Sequence, residues 1–362
     1  MKTGTADLPL HHGRAPRWLF EKMVKLSRAI IEVIVMEQST EEFLRRISDP
    51  FWFQAFGAVL GFDWHSSGVT TTVCGAMKEG IRDISNELGI YMCGGKGGAS
   101  RKTPTQIEKI SENLSINPTR LVYASKISAK VDNTCVQDGY NLYHHMFIFT
   151  RDGKWSVIQQ GMNTENRLAR RYHWLSLNLK SYVNEPHTAV CCDVNKKALN
   201  MVAQESKLSR NVVTTLSKEH PDKLIKETKK ILKMPSRHPV LRLDINPKYF
   251  HKILLKTYEK MPDNFESFVT IRGVGPKTVR ALALIGELLY GATPSFRDPA
   301  RYSFAHGGKD GFPYPVNRET YNQSISFLES AIKKAKIGEN DRLKALKKLW
   351  RRCISMNSIF ST

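Results

Sequence analysis

Leu19, Met23, Leu26, Ile30, Val33 and Ile34 recur at three- and four-residue intervals, a spacing that predicts an amphipathic helix over 18–37. A second helix is expected from Thr40, read as its N-cap with Glu41 and Glu42 in the first turn, to about 47. Phe51, Phe53, Phe56 and Leu60 would bury against the first helix as core. After the Ser66, Ser67, Gly68 break, helices are expected over 73–88, 104–113 and 118–132, with a glycine-rich loop at 93–105. At 142–150 and 154–162 the period changes to two, and the Asp152-Gly153 pair between them predicts a β-hairpin. Tyr143, His145, Phe147 and Phe149 would share one face of its first strand.

Beyond 164 the pattern reads helical and basic, with candidate helices at 194–204, 219–233 and 247–261 and a last one over 318–352, broken near Gly338. The expected class is mainly α with a small antiparallel hairpin or sheet (α+β). Asn184, Glu185 and Pro186 mark the expected boundary between an N-terminal helical domain, 1–186, and a basic helical domain, 187–362.

Across 362 residues, 41% hydrophobic and 25% charged residues are globular values and exclude a disordered or fibrous chain. Lys plus Arg number 55 against 34 Asp plus Glu, so a net charge of +21 sits on a folded surface. A field of that sign favours polyanions, of which nucleic acid is the commonest; an acidic membrane or a ribosome satisfies the same arithmetic. None of the 6 cysteines has C-x-x-C spacing, and they read as reduced intracellular thiols. With no signal-like apolar core at the start and no apolar run near about 18 residues, a soluble cytoplasmic, nucleoid-associated protein is expected.

The most specific local signal is FVTIRGVGPKTVR at 268–280, followed by helical periodicity to Tyr290 and a terminating Gly291. Gly273 and Gly275 permit a tight turn, and Pro276 suits the first position of the next helix. Amides at that helix start, with Lys277, Thr278 and Arg280, could hold a phosphate without reading bases. The unit, about 263–291, resembles a helix-hairpin-helix; the alternative is a glycine-capped turn between core helices. In the similar helix-hairpin-helix DNA glycosylases, a lysine after the hairpin is the Schiff-base nucleophile and a catalytic aspartate follows. Lys277 and Asp298, 21 residues apart, occupy those places, although Pro299 and Ala300 depart from the residues that follow that aspartate in the family. Lys277 reads equally as a phosphate ligand.

A second constellation is CGGKGGASRKTP at 93–104. Gly95 and Gly97 let the backbone approach an anion, and Ser100, Arg101 and Lys102 could bond phosphate oxygens. The order is not that of a P-loop, and a flexible linker is the alternative. Lys96, framed by glycines and close to other cations, rivals Lys277 as an amine nucleophile. A third cluster joins Asp63, Trp64 and His65 to His144, His145, Gln159, Gln160, Arg171 and Trp174. Three readings stand for it: a metal site, acid–base or substrate-positioning work, or a buried polar network.

Met1 to His11, Asp49 to Gln54, Asp63 to Gly68, Gly94 to Gly97, Tyr143 to His145 and Gln159 to Met162 together resemble the archaeal domain-of-unknown-function family seven-six-three. The resemblance implies an apurinic/apyrimidinic lyase of DNA repair, whose partner is DNA containing abasic sites. Lys96 or Lys277 would attack the C1′ aldehyde of the opened deoxyribose. Asp298, Asp63 or His65 would then remove the C2′ proton, and β-elimination would expel the 3′ phosphate. That chemistry needs no cofactor. Arg171 would contact DNA, and Trp64, Tyr143, His145 and Trp174 would line a pocket if a damaged base is first removed. The rivals are a non-catalytic DNA-binding repair scaffold and a metal-dependent nuclease built on Asp63, His65 and His144.

Overall fold

The computed structural model describes residues 15–62, 67–165, 167–191, 197–231, 246–300 and 318–357. Its first helices are α1 (Arg17–Glu37), α2 (Thr40–Ser48), α3 (Pro50–Leu60), α4 (Gly68–Gly80) and α5 (Ser85–Leu88). Strand β1 (Ile90–Lys96) precedes α6 (Gly98–Arg101), α7 (Thr103–Leu114) and α8 (Thr119–Thr134). The strands β2 (Val136–Gln137), β3 (Asn141–Thr150), β4 (Trp155–Asn163), β5 (Leu168–Leu175), β6 (Ala189–Cys191) and β7 (Leu199–Asn200) follow. Helices α9 (Lys207–Leu216), α10 (Pro221–Ile231), α11 (Pro247–Lys260), α12 (Phe265–Thr270) and α13 (Pro276–Tyr290) come next, and α14 (Arg318–Lys334) and α15 (Glu339–Asn357) last.

Local chemistry explains several ends. Ser39, not Thr40, caps α2, its hydroxyl accepting from the Glu42 amide at 3.0 Å. Asp49 accepts from the Phe51 and Trp52 amides at 2.8 and 3.0 Å and so starts α3, with Pro50 at its first position. Gly61, at φ +104, ends that helix in the left-handed region.

The main sheet has the order β1-β3-β4-β5-β6 and is antiparallel throughout. Successive strand residues face opposite ways, and both faces are covered. Tyr91, Cys93, Phe147, Phe149, Val157, Tyr172 and Trp174 pack on the side of α7, α8 and α9–α13. Ile90, Met92, Met146, Ile148, Ile158 and Leu175 pack against α1–α4, α14 and α15. The result is a helix–sheet–helix sandwich, mainly α with a small antiparallel sheet, as the sequence predicts.

Three expectations need correction. The 167–173 stretch is strand, not helix: Arg170 and Arg171 are buried on its two faces, so no apolar alternation marks it. Expected helix 194–204 gives way to β7 where it is described. Neither core respects a division at 186, since one core joins Tyr91 to Ile285 and the other Met23 to Leu349.

Candidate functional site

Strand β1 ends in a glycine bend that the fold holds from three sides. Gly94, at φ +97, lies so close to β3 that a Cβ there would stand 2.1 Å from the His145 carbonyl oxygen. The Lys78 ammonium donates to the Gly94 carbonyl at 2.8 Å and to Gln106 Oε1 at 3.0 Å, and that amide oxygen also accepts from the Gly94 N–H at 2.8 Å. Burial lowers the pKa of Lys78. Past the bend, the Gly97 amide donates to the Tyr143 carbonyl at 2.7 Å. The Ser100 hydroxyl donates to the Gly97 carbonyl at 2.6 Å, so it closes the loop. The segment expected as a glycine-rich loop therefore runs from the end of β1 through a turn at Gly97 into α6 and the start of α7, and that turn is pinned by hydrogen bonds. Lys96, Gly97, Arg101 and Lys102 are exposed on it and Gly95 is half-buried.

β-pairing sets Lys96 opposite His144 and Gly95 opposite His145. A register shift between Leu142 and His144 makes Tyr143 a bulge residue. The expected shared face with His145 is thereby broken: the Tyr143 hydroxyl accepts from Gln160, whereas His145 bonds Gln159. Gln160 also donates to the Ser67 carbonyl at 2.8 Å and accepts from Thr70. The half-buried Tyr143 presents its ring to the Lys96 ammonium, 5.9 Å from the centroid. Asp63, Trp64 and His65, just ahead of Ser67, lie outside the described residues.

His144 is 1% exposed, and neither ring nitrogen has a partner among the described residues. Burial, then the neighbouring His145 and Lys96, push its pKa down to about 3. A neutral imidazole with an open lone pair thus lies beside the lysine. The sequence leaves His144 open as a metal ligand, an acid–base group or part of a buried polar network, and does not show that it faces Lys96.

Next to it runs a closed relay. Gln159 Nε2 donates to Asp132 Oδ2 at 2.6 Å, which leaves Gln159 Oε1 to accept from His145 Nδ1 at 2.9 Å. His145 Nε2 then accepts from the Ser125 hydroxyl at 2.9 Å, so the geometry fixes its tautomer. Trp174 Nε1 and His187 complete the ring of donors around Asp132. His145 and Trp174 are therefore buried parts of the core, not walls of a base pocket. Arg171 is likewise no surface contact: fully buried, it donates to Gln54 at 3.0 Å and His173 at 2.9 Å and lies 4.4 Å over the Phe53 ring. Burial lowers its pKa to about 10.

Asp298 is also built in. Arg170, 1% exposed, reaches both of its oxygens at 2.9 and 2.8 Å and bonds Asp138 at 2.8 Å as well. Asp298 Oδ1 further accepts from the Ala300 amide at 2.9 Å. A carboxylate with both oxygens engaged clamps the segment after α13 to β5 and is poorly placed to take a proton from a substrate.

Between α12 and α13, Gly273 takes φ +104 and Gly275 caps α13 ahead of Pro276. The Val274 and Pro276 carbonyls accept from Lys130 and from Gln137, the latter at 2.8 Å. Arg280 turns its Nε to Gln137 Oε1 at 2.7 Å and Thr278 is buried, while Arg272 and Lys277 are exposed. Lys96 and Lys277 stand on different elements, one at the end of β1 and the other in the first turn of α13. Among the described residues, no three His, Cys, Asp or Glu side chains stand close enough to hold a metal ion, and no helix is long and apolar enough to cross a membrane.

No curated protein and no solved structure matches this chain. The profile of one family, described as "Protein of unknown function (DUF763)", matches residues 4–316. With the GGKGG bend, the Tyr-His-His strand and the Gln-Gln pair all inside that span, the chain belongs to this family.

Proposed function

We propose that the chain is a DNA-repair lyase that cleaves at abasic sites, with Lys96 as the attacking amine. The observation that carries the reading is the placement of an exposed lysine opposite a buried, neutral His144 and over the Tyr143 ring. Lys96 adds to the C1′ aldehyde of the ring-opened deoxyribose, water leaves, and the resulting Schiff base acidifies the C2′ proton. Removal of that proton drives electrons toward C3′ and expels the 3′ phosphate. His144, buried and neutral, sets no second positive charge beside the amine, and the proton goes to one of the sequence-based candidates Asp63 and His65. Gly95 and Gly97 supply the close backbone approach, and Arg101 and Lys102 flank the loop with positive charge.

In this reading the α12–α13 turn acts as a helix-hairpin-helix that grips the DNA backbone, with Lys277 beside a phosphate. Engaged with a phosphate, Lys277 serves binding, which leaves Lys96 as the attacking amine. The test is borohydride reduction on DNA carrying an abasic site. Wild type is expected to give a covalent adduct, Lys96→Ala to lose it while keeping most DNA affinity, and Lys277→Ala to keep it with weaker binding. An adduct that survives in Lys96→Ala and vanishes in Lys277→Ala moves the nucleophile to the turn. A wild-type chain that binds such DNA and never forms the adduct is a binding scaffold.

A further inference from the structure

Helix α11 carries Lys248, Lys252, Lys256 and Lys260 at consecutive four-residue steps, with Glu259 as its only acid. Its opposite face is buried through Phe250, Ile253, Leu254 and Thr257. A four-residue step advances about 6 Å along a helix, so the lysines form one row that slants slowly around it. Like charges at this spacing repel and weaken a helix. None of the four makes an ion pair with a described residue, although the carboxylates of Glu219, Glu329 and Asp341 are each taken up by lysines elsewhere. A row of that kind is stabilised by an external anion.

The row runs into the glycine turn. Gly273 sits so tightly on α11 that a Cβ there would come 2.4 Å from Ile253 Cδ1 and 3.9 Å from the Tyr249 hydroxyl. Lys256 and Lys260 follow Ile253 by three and seven positions and border the buried face on the side that meets the turn. Exposed Arg272 and Lys277 continue the positive surface on the turn itself. We infer that the lysine row of α11 tracks the phosphates of one strand of duplex DNA and feeds that strand to the turn. The inference rests on the DNA-binding part of the reading above and is independent of the cleavage step.

The test replaces all four lysines with glutamine and measures affinity for an undamaged duplex across a salt series. A control variant removes the same charge from the opposite helical layer, at Lys25, Lys336, Lys344 and Lys347, which are exposed there. Each phosphate that the protein no longer neutralises makes the slope of log affinity against log salt shallower by about 0.9. The α11 variant is expected to drop by about 3.6 in slope and at least about 10-fold in affinity at physiological salt, the control by less than about 1 in slope. Equal changes in the two variants, or an unmoved slope in the α11 variant with its helicity intact by circular dichroism, overturn the row while leaving DNA binding in place. A wild-type chain that fails to bind duplex overturns both.

Discussion

Arg170 on β5 holds both carboxylate oxygens of Asp298, which lies 128 residues further along the chain, at 2.9 and 2.8 Å. The pair is buried, at 1% and 7% side-chain exposure, and Asp138 shares the same guanidinium. Removing one partner of such a pair leaves a charge in the interior without its counterion. Asp298→Asn is therefore expected to destabilise the fold by about 3 kcal/mol, read by urea denaturation. If the variant were as stable as wild type but inactive on abasic DNA, the glycosylase-like role for Asp298 would return.

Lys96→Arg separates charge from nucleophilicity. A guanidinium stays protonated and forms no imine under these conditions, yet it keeps the cation over Tyr143. The variant should bind abasic DNA within about 3-fold of wild type, since one retained charge preserves the salt-dependent attraction. It should give no reducible adduct. Retained strand cleavage in Lys96→Arg would exclude Lys96 as the attacking group.

His144, His145 and His173 are all buried with lowered pKa values, that of His144 at about 3. The unfolded chain takes up protons at these rings below about pH 6.5, whereas the folded chain takes them up only at lower pH, about 3 for His144. Stability is therefore full above about pH 6.5 and falls as pH drops, His144 adding about 1.4 kcal/mol per pH unit to the slope down to about pH 3 and His145 and His173 acting in the same direction. His144→Leu should flatten the acid limb by close to one proton equivalent in a series of denaturation curves from pH 7 to 4. An unchanged slope would mean that His144 is protonated or exposed in the fold.

Gly94→Ala and Gly98→Ala probe the same loop with opposite expectations. A Cβ at Gly94 would collide with the His145 carbonyl at 2.1 Å on a backbone with φ +97, whereas one at Gly98 meets nothing within 4 Å. Gly94→Ala should cost at least about 2 kcal/mol through strain and displaced strand pairing, and Gly98→Ala less than about 0.5. Thermal melts of the two variants check this, and similar midpoints would show that the bend is not held as described.

Lys277→Ala should weaken duplex binding and make its salt dependence shallower by about 0.9, the share of one neutralised phosphate. An affinity unchanged across the salt series would turn the α12–α13 turn away from DNA.

Much of the molecule was legible from local rules, because helix periodicity, caps and turn residues act over a few positions. The spacing in α1, the Asp152-Gly153 turn between β3 and β4, and the Gly-Val-Gly-Pro start of α13 each carry their own signal. The net charge and the two lysine candidates were equally plain in the sequence. What only tertiary structure decided is which residues meet. Pairing of β1 with β3 brings His144 to Lys96, and a single bulge sends Tyr143 toward Gln160 while His145 turns to Gln159. Arg171 reads in the sequence as a DNA contact, since a charged side chain is normally exposed; partners from distant segments allow its burial and that of Arg170. Those partners lie as far away as 128 and 117 positions, beyond the reach of any local pattern, so the sheet's fifth-strand register and the place of Asp298 could be seen only in the folded chain.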